Sequence, residues 1–349
     1  MNMNKLTKVG CSALCGSLAA ISAANAGDLT ATGGATLTFT SIENETTGNP
    51  IGMASAVTFK GAGELDNGWT IALSIAHGDG DVYSSTNVDI GMGGLGSINF
   101  DQGDSGNGIA AYDNVMPTAW EEAHGAGLSG GVKTVLGVGS SDNVMYTTPT
   151  MLGTTVAITY AFDQGTSDTA DKSAKSSNTS TGSGYDITVK SNPSLGTEIL
   201  SGLNLYAGAS VIEQYDNGNE NEDKYEAVGA LTYALGPVEI GWMVSGIYTG
   251  DDTTTTAYNS YKNAGFGIAF NLNDDFSVSY GTYSSRKAGY NTSLIQKDEQ
   301  NRKAEVESFQ AAFTYGGASI AIADVKADNV LFVGTMDQHA TIVKLGLAF

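Results

Sequence analysis

The chain has 349 residues and carries 37 Asp plus Glu against 16 Lys plus Arg, a formal net charge of −21. A chain this acidic repels polyanions and has no basic stripe to neutralise phosphates, which excludes nucleic-acid binding. Forty-six glycines, only five prolines and few helix-forming residues exclude an α-rich domain and suit many strands joined by turns.

The first 26 residues read as an export signal. Lys5 and Lys8 are followed by the small-residue apolar run Val9–Ile21, and Ala24-Asn25-Ala26 supplies an A-x-A cleavage pattern before Gly27. The run is too short and too rich in Ala, Gly and Ser to span a bilayer, which takes about 20 apolar residues. Lipidation at Cys15 is the rival reading, against which stands the bulky Leu14. Cys11 and Cys15 are both removed by cleavage at Ala26/Gly27, so the mature chain has neither a disulfide nor a thiolate metal site. No later apolar run is long enough for a membrane helix. A chain crossing a bilayer without helices must form a closed barrel, the only sheet that satisfies all its backbone groups.

From residue 33 onward, segments with period-two apolar alternation recur. Leu37 and Phe39 alternate with threonines, and Trp69, Ile71, Leu73 and Ile75 with Thr70, Ala72, Ser74 and Ala76. Val238, Ile240, Trp242 and Val244 continue the pattern, as do Phe276, Val278 and Tyr280, and Phe309, Phe313 and Tyr315. The pattern predicts strands near 33–42, 53–63, 68–77, 87–91, 96–100, 143–148, 153–163 and 183–190. A second half follows near 201–213, 224–234, 237–249, 259–270, 276–286, 303–315, 317–326 and 336–349. Short turns (Glu64–Gly68, Thr148–Gly153, Leu235–Pro237, Asn271–Asp275, Gly316–Gly317) alternate with long polar stretches (164–183, 214–223, 250–259, 286–303). A soluble β-sandwich shares the strand alternation but has no reason to sort its connectors by parity. A transmembrane barrel has short turns on one rim and long loops on the other. The expected fold is therefore an all-β, antiparallel, 16-stranded transmembrane barrel, wide enough for an aqueous channel.

One connector, Asp101–Asp142, breaks the rim pattern by its length, and loops so long are usually functional. Its stretch Met116–Glu122 predicts a helical turn with Pro117 at the first position. Gly131–Val138 predicts a short β-segment.

Flanking this loop, Gly94-Leu95-Gly96-Ser97-Ile98-Asn99-Phe100-Asp101-Gln102 resembles the strand entering the third loop of general bacterial porins. Asp142-Asn143-Val144-Met145-Tyr146-Thr147-Thr148-Pro149 resembles the N-x-V-x-Y-x-[ST]-P return strand of that family. With the terminal Phe349, which resembles the family's C-terminal assembly signal, the likeness covers the mature chain 27–349, and its flavour is that of α-proteobacterial porins. The resemblance implies a homotrimer in the outer membrane, inserted by the barrel-assembly machinery among outer-membrane lipid and lipopolysaccharide. It further implies a third loop folded into the lumen, with carboxylates facing a basic wall.

Asp113, Glu121 and Glu122 match the acidic side of such a constriction, although a merely solvated loop face would look the same. The basic side departs from the family pattern. Between Gly27 and Val132 the only Lys or Arg is Lys60, which alternation places on the lumen face; Lys133, Lys190 and Lys344 are further inward candidates. The imbalance predicts a cation-preferring pore. Trp69, Tyr160, Trp242, Tyr280, Tyr315 and Phe349 are expected at the membrane interfaces.

No enzyme signature emerges: His77, His124 and His339 share no metal-ligand spacing, and no G-x-S-x-G elbow is present. No cofactor is expected. The acidic runs Glu220-Asn221-Glu222-Asp223 and Asp251-Asp252 could hold a structural calcium ion, but lack the spacing of a dedicated calcium loop. The leading expectation is passive diffusion of ions and small hydrophilic solutes. A substrate-specific channel and a secreted calcium-binding surface-layer or adhesin protein are the alternatives.

Overall fold

The computed structural model describes residues 29–43, 49–79, 85–102, 106–163, 181–193, 200–214, 222–251, 258–291, 293 and 302–348. Ala26, Gly27 and Phe349 lie outside them, as do Glu220, Asn221 and Asp252 of the acidic runs.

Sixteen strands are found among the described residues: β1 (Thr30–Ile42), β2 (Ile51–Glu64), β3 (Thr70–Gly78), β4 (Ser85–Gly91), β5 (Ser97–Gln102), β6 (Asp142–Thr147), β7 (Thr154–Ala161) and β8 (Thr181–Ser191). They continue with β9 (Leu203–Gln214), β10 (Lys224–Leu235), β11 (Val238–Tyr248), β12 (Tyr258–Asn271), β13 (Phe276–Tyr290), β14 (Lys303–Tyr315), β15 (Ala318–Asp328) and β16 (Gln338–Ala348). Each pairs antiparallel with its neighbours in sequence, and β1 pairs with β16 to close the barrel. Closure leaves no sheet edge unpaired, which is what a bilayer demands.

The connectors sort by rim as expected. The chain enters β1 and leaves β16 on the rim that carries the turns 65–69, 92–96, 148–153, 236–237, 272–275 and 316–317. At the opposite rim lie the longer loops. In barrels of this kind the short turns face the periplasm and the long loops face outward.

Side chains alternate across the sheet. The outer face carries large exposed apolar residues, among them Phe39, Phe59, Phe100, Ile158, Tyr185, Trp242, Phe309 and Ile320. In water such a surface would be an aggregation site; in hydrocarbon it is the matched solvent. Of the expected interface aromatics, Trp69 and Tyr315 flank turns and Tyr160 lies near the loop end of β7. Trp242 instead falls fifth in the eleven-residue β11, at mid-strand. At the closing seam, His339 on β16 places Nδ1 2.8 Å from Glu43 Oε2 and Nε2 2.8 Å from Asp324 Oδ2 of β15. The outer surface thus ties three neighbouring segments together.

The inner face is not uniformly polar. Where β10, β11 and β14–β16 face inward, Val228, Ala230, Met243, Val306, Ala323, Val325, Ala327 and Ile342 are buried. They are covered by the long connector between β5 and β6.

Candidate functional site

The connector from residue 106 to 141 folds into the barrel and lies along the inner wall as a two-limbed strap. Its outgoing limb starts with a 3₁₀ helix, Gly108–Tyr112, which packs against β7–β10. Met116 and Pro117 reach β11 and β12, Thr118 and Ala119 reach β13, and Glu121 reaches β14. The limb turns near Gly127, beside Ile342 of β16. The return limb passes Val306 at Gly130, Ser285 at Lys133 and Glu226 at Leu136. Both expected loop elements are therefore corrected. Met116–Glu122 forms no helical turn, because its backbone groups are taken by the wall: Ala119 N–H donates to Ser279 Oγ at 2.8 Å and Glu121 N–H to Gln310 Oε1 at 3.0 Å. Gln310 Nε2 in turn donates to the Glu121 carbonyl at 2.6 Å. Gly131–Val138 forms no strand, because its N–H groups go to single side chains rather than to a sheet edge.

Two buried wall carboxylates fasten both limbs. Asp186 of β8 accepts the N–H of Ile109 at 2.9 Å and that of Val138 at 3.2 Å. Glu226 of β10 accepts Leu136 N–H at 2.8 Å and Gly137 N–H at 2.7 Å, and meets Lys224 Nζ at 2.5 Å. Such charge-assisted bonds are roughly twice as strong as neutral ones. The fit needs Gly137: at φ +52 its absent Cβ would lie 2.2 Å from Asp186 Oδ2. On the wall, a Cβ on Gly241 would stand 2.4 Å from Pro117 Cδ, so the missing side chain is the groove in which the loop sits. Ile109, Tyr112, Met116 and Val135 then pack with Val228, Met243, Ile247 and Tyr283 as an apolar core between strap and wall. Each large apolar side chain fully buried there contributes about 1.5–3 kcal/mol.

The three expected constriction carboxylates all lie on this strap, and all are half-buried. Burial pushes the Asp113 carboxyl up to about 6, partly offset by a hydrogen bond with Thr134. Burial also pushes Glu122 up to about 8, reinforced by the hydrogen bond with neighbouring Glu121 and by the charges of Glu121 and Asp113. Glu121 Oε1 accepts the Glu122 N–H at 3.2 Å. Beside them the His124 ring lies 4.5 Å from that of Tyr283, and burial lowers its basicity. Glu122 is therefore largely protonated at neutral pH, a reduction in negative charge that counting residues does not foresee.

The lysines fall differently from a simple opposing wall. Lys60 is in register with Thr30 and Ser74 on the lumen face, four residues before the turn end of β2. It alone stands on the wall β1–β7 facing the strap, among the described residues of that wall. Lys133 is exposed on the return limb, its Nζ 5.8 Å from the Tyr261 ring. Lys190 lies 5.7 Å from Tyr206, and Lys344 5.3 Å from Trp120. These three belong to the strap or its own side of the lumen, each near an aromatic face that attracts a cation. Among the described residues no group of three or more His, Cys, Asp or Glu is placed to hold a metal ion. Asp186, Glu226, Ser279 and Gln310 escaped sequence reasoning because an inward polar residue on a strand looks the same whether it lines water or grips a loop.

A closed sixteen-stranded barrel, apolar outside and holding its third loop against its own inner wall, has the architecture of an outer-membrane channel. The Gram-negative porin family profile matches residues 10–328, and the chain belongs to that family. It is a multi-pass β-barrel of the outer membrane. Among solved structures the fold is similar to OmpF of Salmonella typhi, described in complex with daunomycin, with a TM-score of 0.68 at 13% identity over 92% of this chain and 97% of that one. The anion-selective porin of Comamonas acidovorans gives 0.64 at 13% identity, covering 92% and 99%. The outer-membrane channel DcaP of Acinetobacter baumannii gives 0.64 at 12%, covering 93% and 98%. No curated protein matches the sequence.

Proposed function

We propose that the chain is a non-enzymatic general diffusion porin that passes ions and small hydrophilic solutes, with a preference for cations. The observation that carries this reading is the strap: bonded at both limbs to wall strands between β8 and β14, it occupies part of the lumen. Opposite it, the inner face of β1–β4 offers Thr36, Thr38, Thr40, Thr58, Ser74 and Asn87, a hydroxyl- and amide-rich surface suited to hydrated solutes. The cation preference is supported by Asp113 and Glu121 on the strap, joined by Glu122 as it loses its proton at alkaline pH, with Lys60 the one Lys or Arg among the described residues of the wall β1–β7 across from them. The chain works as one domain, 27–349, released from a signal peptide at Ala26/Gly27, with Phe349 as its assembly signal. One structural neighbour is described as an anion-selective porin, so the fold alone does not set the sign of the selectivity.

A homotrimer is supported by strand length. β4, β5 and β6 have seven, six and six residues, whereas a strand crossing the hydrocarbon needs about 9–11. A second copy against this low wall would cover what lipid cannot. A substrate-specific channel is the second reading, favoured by the luminal rings Trp120, Tyr206 and Tyr261.

The test is reconstitution in a planar bilayer under a salt gradient. Stepwise conductance with a cation-selective reversal potential is expected. Anion selectivity would overturn the electrostatic part, saturation by one solute would favour the specific channel, and no steps from folded protein would overturn the pore.

A further inference from the structure

The loop that joins β15 to β16, residues 329–337, does not stay at its own edge of the mouth. Phe332 is buried, its ring 5.8 Å from that of Tyr261 on β12, and Lys287 Nζ of β13 stands 4.7 Å from the same ring. Tyr261 faces inward, two residues before the buried Asn263. From β15 to β12 is three strand spacings, about 14 Å, so the loop reaches across the inner face of β14 and β13. Val330 joins the apolar cluster that holds Leu128 of the strap and Val306 of the wall.

There the loop grips the strap. Leu331 N–H donates to the Gly130 carbonyl at 2.9 Å. Gly130 and Gly131 lie at φ +59 and +71, and neither has room for a side chain. A Cβ on Gly130 would stand 2.6 Å from Val306 Cγ2, and one on Gly131 would stand 2.6 Å from Leu331 Cδ2. The return limb is thus held between sheet and loop at its two thinnest residues.

The grip works against the loop's own backbone. Leu331 has φ 54 and ψ 24, and Phe332 has φ 65. Left-handed backbone is uncommon outside glycine, and for bulky side chains it is a strain that surrounding contacts must maintain. Phe332 has such contacts: its ring is buried and its carbonyl accepts Arg302 Nη1 at 3.1 Å. Leu331 is 61% exposed, so little burial offsets its strain.

We propose that loop 329–337 is a second constriction element, a clamp that docks on the strap under backbone strain and releases from it, with Leu331 as its positioning residue. Docked, it narrows the outer mouth and fixes the return limb. Released, it frees Gly130 and Gly131 and widens the entrance. Strain at Leu331 brings the two states close in free energy, so both are populated. The clamp rests on the pore reading, to which it adds a filter beyond the strap.

Single-channel records of the full barrel should show two conductance levels, the lower one dominant. Leu331→Asn keeps a side chain of similar size but tolerates the left-handed backbone, and should lengthen the lower-level dwell about threefold or more. Gly131→Ala puts a methyl group against Leu331 and should shorten that dwell. Replacing residues 330–336 by an Asn-Gly hairpin turn should leave only the upper level and admit larger neutral polyethylene glycols. Heat-modifiable migration reports that each variant is folded, and Leu331→Gly repeats the comparison if Leu331→Asn fails to assemble. One level only in wild type, levels unchanged by the replacement, or a shorter lower-level dwell in Leu331→Asn would each overturn the clamp. A spin label at the exposed Val333→Cys reads docking without conduction, since the chain has no cysteine beyond Cys15. Two spectral components are expected, the immobile one growing in Leu331→Asn, and a single component indifferent to that substitution would overturn the clamp. Two such components in a barrel that gives no conductance steps would fault the pore reading and uphold the clamp.

Discussion

Glu122 shows how one residue's surroundings change what its charge does. Buried in the strap beside Glu121 and within reach of Asp113, it holds its proton up to about pH 8, and Asp113 holds its own up to about 6. Because both values are raised, the neutral forms favour the docked loop. That contribution is fully present below the ordinary carboxylate range and is lost as pH rises through about 6 and then about 8. The negative charge facing the pore grows over the same window. Cation preference, read from reversal potentials, should therefore increase from pH 5 to pH 9 in two stages. Glu122→Gln should remove the alkaline stage and leave the other; a flat profile in wild type would show that these carboxylates do not face the permeating ions.

At the scale of elements, the strap depends on side chains scattered over seven strands. Asp186→Ala frees the N–H groups of Ile109 and Val138, and Glu226→Ala frees those of Leu136 and Gly137 while stranding Lys224. Unpairing buried groups costs about 1–3 kcal/mol each, so either variant should show larger, noisier single-channel steps and faster proteolysis within 106–141. Conductance unchanged in both amplitude and noise would mean that packing alone holds the loop. The strands themselves were legible: Lys303–Tyr315 alternates so regularly that its bounds follow from the sequence, because one face must meet hydrocarbon. The strap was legible as a long connector with Asp113, Glu121 and Glu122 upon it. Its conformation was not, since Pro117 opens what looks like a helix only while Ser279 and Gln310, more than 150 residues away, are left out. Ala321, Ala323 and Ala327 are buried on the inner wall on the strap's side, and Ala323 and Ala327 pack beneath it; the sequence is silent on this, since a small inward residue suits a wet lumen and a packed one alike.

For the whole molecule, the barrel has two unequal walls. The side β8–β16 is tall and lined by its own loop, while β4–β6 is short and meets the start of that loop where Asn107 donates to Asn99 of β5 and Asn143 of β6. Across that low wall Ile90, Ile98, Tyr146 and Ile158 stand in one cross-strand row on the outer face. For the proposed homotrimer, Ile98→Arg should leave the barrel closed, as judged by β-sheet circular dichroism and heat-modifiable migration, yet shift the cross-linked species from three copies to one. Retention of three copies would place the contact elsewhere on the surface.

The dry inner wall beneath the strap also divides the sheet into two regimes of sequence change. On β1–β4 an inward position meets water, and exchanges among Thr, Ser, Asn and Ala alter only the texture of a channel. Under the strap, Val228, Met243, Val306, Val325 and Ile342 obey the rules of a globular interior, where one methylene more or less disturbs a close-packed neighbour. Drift in the lumen-facing residues of this chain should therefore run fast on one side of the pore and slow on the other, even though both sides belong to one continuous hydrogen-bonded surface.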